Sequence, residues 1–294
     1  MNILFISPNS PLESVGGVER YIVNLTDYCK NQSQSKTVIV LPTYKESSIE
    51  ETGSLVTYFD ENIALPKNIS GKEISEKARS FSKTIENIII EHKIDIICAE
   101  NFHVGLPPAF SLLLNMVAGL HKIPLVLRLH SFAVTDLQVE LVNRLMWNKI
   151  SCVSKSVTGD CFQKGADINL LSTDYLGVNL NEFNKNIKTH HQLRDNLNLL
   201  PENKIVLIAT RIIHGKRNIL QEKGIINLIQ AFSKLSPRYP KLRLLIAVGK
   251  PPDYLKAEFD RAYEMLLGYL RLHNIEAKTI VKMFRLNEMP EVYG

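Results

Sequence analysis

Arg211, Lys216 and Lys223 are among the cations of the stretch TRIIHGKRNILQEKGIINLIQAF (residues 210–232), just ahead of an apolar stripe at helical spacing. A guanidinium fork, an ammonium group and the free N–H groups of a helix start suit a pyrophosphate. A solvated basic loop is the other reading, although cations crowded against the positive end of a helix repel it unless an anion lies between them. His130 closes the apolar run PLVLRLH and precedes Ser131. A histidine at a strand end can bond a sugar hydroxyl or stabilise developing charge, or it can simply bond its own loop. Gly16 and Gly17 precede a helical pattern that starts at Val18. Their missing side chains let backbone N–H groups approach a phosphate or sugar, or serve an ordinary tight turn.

These residues must be held by the elements around them. Short apolar runs alternate with helical stretches, the pattern of a parallel sheet covered by helices on both faces. Strands are expected at residues 2–7, 37–41, 94–99, 124–130 and 150–154, with a long helix near 72–91 that carries Ile74, Ala78, Phe81, Ile85 and Ile88 on one face. That stripe is read as core packing rather than membrane-seeking. Residues 44–71 and 135–147 read as loops. The polar, asparagine-rich segment 178–204 marks a junction, and the boundary is set at 183/184. The pattern then restarts: strands at 205–210, 242–248 and 278–284, helices at 224–235 and 254–273. The fold class is therefore α/β, with two Rossmann-like, doubly wound parallel-sheet domains. Such domains take ligands at the carboxyl ends of their strands, which is where His130 and Arg211 stand.

Composition narrows the function classes. The 294 residues carry a net charge of +5, from 35 basic and 30 acidic residues, too mild and dispersed for a dedicated nucleic-acid binder but suited to small anions or an anionic membrane face. Cys29, Cys98, Cys152 and Cys161 form no C-x-x-C pair, and two of them lie in apolar runs, so free thiols in a reducing cytoplasm are expected. No apolar run approaches the roughly 20 residues of a membrane span.

The segments NILFISPNSPLESVGGVERYIVNL, YLGVNLNEF, ATRIIHGKRNILQEKGIINLIQAF and LRLLIAVGKPP resemble, in order and spacing, the landmarks of glycosyltransferase family 4, the retaining nucleotide-sugar enzymes of GT-B fold. The resemblance runs nearly end to end. It implies transfer of a hexose from a UDP- or GDP-sugar to a glycan or lipid-linked acceptor, with retention of configuration and with no cofactor or metal beyond the donor. It places Gly16 and Gly17 in the N-terminal glycine loop, makes His130 the sugar-contacting histidine, makes Arg211 and a lysine the diphosphate clamp, and puts Gly249 on the donor side. Polysaccharide biosynthesis, a cytoplasmic location and a peripheral seat on the inner face of the cell membrane follow from the same resemblance.

Departures accompany the match. The clamp lysine ordinarily stands five residues after the arginine and directly before a glycine; here Lys216 keeps the distance and Lys223 the Lys-Gly helix start. Lys223 is favoured, because a helix start fixes geometry better than a loop distance does. Thr210, Leu176 and Arg285 replace a glycine, an asparagine and a glycine of the usual pattern. The sequence stops at NEMPEVYG, before the family's paired glutamates, so the second domain reads as incomplete and this chain as one that does not complete transfer alone. Two other functions fit the same residues. One is a sugar-nucleotide epimerase or phosphorylase of the same fold; the other is a non-catalytic partner subunit that works with a C-terminal partner chain.

Overall fold

A computed structural model describes residues 1–10, 17–30, 36–66, 68–181, 183, 190–213, 218–251, 255–285 and 288–293. They divide into two compact units, one up to residue 177 and one from residue 178 on, where composition set the junction at 183/184.

The first unit is built on eight strands: β1 (Ile3–Ile6), β2 (Thr37–Pro42), β3 (Ser48–Thr52), β4 (Leu55–Asp60), β5 (Ile96–Glu100), β6 (Leu125–Leu129), β7 (Lys149–Cys152) and β8 (Leu171–Thr173). Their order across the sheet is β3-β4-β2-β1-β5-β6-β7-β8. All neighbours are parallel except β3 and β4, an antiparallel hairpin in a stretch that reads as loop. Every residue of β3 is exposed, whereas β2 is buried along its whole length. A parallel strand covered on both faces must be apolar throughout, as TVIVLP nearly is.

Helices α1 (Gly17–Lys30), α2 (Gly71–His92), α3 (Phe102–Gly105), α4 (Pro108–Leu120), α5 (Asp136–Arg144) and α6 (Lys155–Gln163) cover this sheet. Helix α2 starts where a capping box forms: the Glu73 N–H donates to Ser70 Oγ at 3.2 Å, and the Ser70 N–H donates to the Glu73 carboxylate at 2.9 Å. Its stripe is core: Ala78, Phe81, Ile85 and Ile88 are buried against Phe102 and Phe110. Gly105 of α3 lies so close to the loop after β1 that a Cβ there would stand 2.3 Å from Pro8 Cγ, so α3 and that loop pack without room for a side chain.

The second unit holds α7 (His190–Asn196), β9 (Lys204–Thr210), α8 (Ile219–Glu222), α9 (Ile225–Leu235), β10 (Leu242–Gly249), α10 (Lys256–Leu272), β11 (Thr279–Phe284) and α11 (Met289–Tyr293). The three strands are parallel in the order β11-β10-β9. One face buries Ile225, Ile229, Phe232, Leu244, Ile246 and Leu266 under α9 and α10. The other buries Leu193, Leu197, Leu245 and Val292 under α7 and α11. All four cysteines are free thiols. Among the described residues no helix is long and apolar enough to cross a membrane.

Candidate functional site

In the first unit, β5 and β6 are adjacent parallel strands with Glu100 in register with Arg128, so the residues that follow them meet at the same carboxyl edge. There the ring of His130 is turned onto Glu100: Nε2 lies 2.7 Å from Oε2, with the imidazole side chain 4% exposed and the carboxylate 0% exposed. Asn101 organises the corner. It sits at φ 53°, a left-handed conformation that asparagine tolerates better than most side chains. Its Oδ1 accepts the His130 N–H at 2.8 Å, and its own N–H donates to the Arg128 carbonyl at 2.8 Å.

Tyr21 of α1 closes the cluster. Its ring lies 5.3 Å from the His130 ring, and the Arg128 guanidinium sits 5.2 Å over the tyrosine face while donating to its hydroxyl at 3.0 Å. Burial, followed by the Glu100 charge, pushes the Tyr21 phenol far up. The same two causes push the Cys98 thiol up to about 12, so neither group supplies an anion near neutral pH. His103 of α3 faces the Ser131 carbonyl at 3.1 Å. A carbonyl only accepts, so Nε2 of His103 carries the proton and donates. Burial lowers this histidine to about 4 and keeps it neutral. His103 is therefore a peg that fixes the loop after His130. Glu100 Oε1 and His103 Nδ1 are buried without a hydrogen-bond partner among the described residues.

In the second unit the carboxyl edge carries cations. Arg211 directly follows β9, Lys250 follows β10 and Arg285 follows β11, and all three are exposed. Lys223 is exposed just before Gly224, which takes φ 71° and opens α9 with no side-chain cap. Glycine meets that left-handed turn at little cost, and it leaves the first N–H groups of α9 without side-chain competition. Gly249 ends β10, and a Cβ there would meet nothing within 4 Å, as at Gly17, the first residue of α1. Lys216 and Gly16 lie outside the described residues.

No protein-family profile and no curated protein sequence matches the chain. Solved structures do. HepE of Anabaena, in complex with UDP and glucose, superposes with a TM-score of 0.65 at 16% identity, over 99% of this chain and 71% of that one. A glycosyltransferase from Rickettsia africae gives 0.71 at 16% identity, over 99% and 70%, respectively. Sucrose-phosphate synthase from Thermosynechococcus elongatus gives 0.67 at 15% identity, over 99% and 72%. The chain has the GT-B glycosyltransferase fold.

Set in the GT-B fold, the residues singled out by sequence fall at strand ends: His130 at the carboxyl edge of one sheet, Arg211 and Gly249 at that of the other, with Lys223 ahead of α9. Sequence reasoning missed Glu100, Asn101, Tyr21 and Arg128 around the histidine, and Lys250 beside Arg211. One signal was available for Glu100: a carboxylate that ends the apolar run IICAE has no place in a buried strand without a partner. Among the described residues no group of three His, Cys, Asp or Glu is placed to hold a metal ion.

Proposed function

We propose that this chain is part of a glycosyltransferase that moves a hexose from a UDP- or GDP-sugar to a glycan or lipid-linked acceptor, with the anomeric configuration retained. The observation that carries the reading is the contrast in chemistry between the two carboxyl edges: a hydroxyl-seeking histidine backed by a buried carboxylate on one, and cations beside an uncapped helix start on the other. Solved proteins of the same fold hold UDP, UDP-glucose and glucose, which supports a nucleotide-sugar partner here.

The chemical difficulty is departure of the nucleoside diphosphate, which gains negative charge as the bond to the anomeric carbon breaks. Arg211, Lys223 and the N–H groups of α9 meet that charge, with Lys216 as the alternative lysine. His130 orients a hydroxyl of the sugar or acceptor, with the Gly16–Gly17 loop supplying backbone donors. Glu100 is buried against His130 and is not free to attack the sugar. The acceptor oxygen therefore adds to the face the diphosphate leaves, and the acceptor proton passes to the departing phosphate oxygen. Neither metal nor further cofactor takes part.

Peripheral contact with the anionic inner face of the cell membrane belongs to this reading. Every exposed residue of α4 is apolar or glycine, with Leu112, Met116 and Leu120 at 49%, 60% and 75% exposure on one helical stripe. Lys93 and Lys122, which precede β5 and β6, and Lys149, the first residue of β7, are all exposed at the sheet edge where α4 ends.

Incubation with UDP- and GDP-hexoses and candidate acceptors, followed by NMR of the product's anomeric signals, tests the transfer. Retained configuration and a rate unchanged by a chelator are expected. An inverted product, a chelator-sensitive rate, or release of free sugar alone with every acceptor would overturn the reading.

A further inference from the structure

Glu100 is the most deeply buried charged group of the first unit, and one of its oxygens has no hydrogen-bond partner among the described residues. A buried carboxylate half-satisfied in this way is costly, so it calls for an explanation. Packing supplies none: Cys98 and Ala99 precede it in a strand whose interior is otherwise apolar. What it does touch is His130, through the 2.7 Å contact between Oε2 and Nε2. The ring is fixed on its other sides by Tyr21 and by the Asn101 hold on its backbone. Nδ1 of His130 makes no hydrogen bond among the described residues.

We propose that Glu100 is a positioning residue: it accepts the Nε2–H of His130, holds the ring in that one tautomer, and leaves Nδ1 as the atom that meets a ligand, as an acceptor for a hydroxyl. A carboxylate oxygen accepts and an imidazole N–H donates, so the 2.7 Å contact assigns the hydrogen to Nε2. The tautomer a histidine presents is set by the bond its other nitrogen makes. His130 thus takes a hydrogen bond from a sugar or acceptor hydroxyl at Nδ1 and does not donate one there. This deepens the transferase reading and rests on it for the identity of the ligand, although the tautomer itself does not.

The test is nitrogen-15 NMR of the histidine rings in the full chain, with His130 assigned by loss of its signals in His130→Gln, alongside donor-saturated turnover. In the wild-type protein His130 should show a protonated Nε2 and a bare Nδ1. In Glu100→Gln, whose amide both donates and accepts, the ring signals should shift toward a mixture of tautomers, and kcat should fall about tenfold with KM for the nucleotide sugar unchanged. A bare Nε2 in the wild type overturns the proposal, and that spectrum decides even if the variant fails to fold. Unchanged ring signals in a folded Glu100→Gln overturn it as well. If the tautomer behaves as stated while the wild type neither binds nor turns over any nucleotide sugar, the transferase reading fails and the role of Glu100 stands.

Discussion

At the carboxyl edge of the eight-stranded sheet, Glu100, Asn101, Arg128 and His130 hold one another in hydrogen bonds and ring contacts that are largely closed to solvent. At the same edge of the three-stranded sheet, Arg211, Lys223, Lys250 and Arg285 all reach into solvent. The difference follows from what each edge must handle. A neutral hydroxyl offers little energy of its own, so the group that reads it has to be oriented beforehand. A diphosphate carries its own field, and several exposed cations can gather on it. Burial also couples stability to chemistry on the first edge and leaves them separable on the second.

Substitutions should expose that separation. The largest effect is expected for Arg211→Ala: transfer should slow by about two to three orders of magnitude, in line with roughly 3 to 4 kcal/mol for a lost electrostatic donor, while the melting temperature stays put because the side chain is exposed. Kinetics and calorimetry on one preparation check both halves, and a large fall in melting temperature would erase the contrast. His130→Ala should do the opposite in kind. It strands a buried carboxylate, so stability should drop by about 1 to 3 kcal/mol along with a loss of turnover, measurable by denaturant unfolding.

Acid should also act on the first edge before the second. Burial lowers His103 from the usual 6.5 to about 4. A histidine depressed in this way contributes its full stability above the unfolded value near 6.5 and loses it as pH falls through the folded one. At about 1.4 kcal/mol per tenfold in proton affinity, roughly 3 kcal/mol is at stake across that window. His92, also lowered by burial, adds to the loss with the same sign. Melting temperatures followed from pH 7 to 4 should therefore fall less steeply in His103→Gln than in the wild type. The smallest effect concerns α4: the triple change of Leu112, Met116 and Leu120 to serine should reduce flotation with anionic vesicles and leave solution transfer alone. Equal flotation of both chains would remove that face from the account.

Much of the scaffold was readable from the residues. The apolar runs that became β1, β2, β5, β6 and β9 to β11 are short, bounded and β-branched, and their observed ends lie within two residues of those expected. The hairpin of β3 and β4 was not read: SIEET is mostly polar, with Ile49 alone apolar, because it lies exposed at the sheet edge, and its partner LVTYFD was passed over with it. Helix α5 was taken for loop, although Thr135 and Gln138 form a capping box there. The places of His130 and Arg211, each just past the end of a strand, were legible from the apolar runs that precede them. Glu100 was not, because its partner is 30 residues away in sequence and only the register of β5 against β6 brings the two together. Pairings between strands are tertiary facts, and a single sequence does not state them.

A nucleoside diphosphate bound at the cationic edge is central to the proposed function. A titration of isotope-labelled protein with UDP and with GDP, read by backbone and arginine side-chain NMR, tests this even when binding is weak. Saturable shifts confined to Arg211, to Lys223 through Ile226 and to Gly249 and Lys250, and lost in Arg211→Ala, are the predicted result. Shifts that gather elsewhere, or none with either nucleotide at saturating concentration, would contradict it.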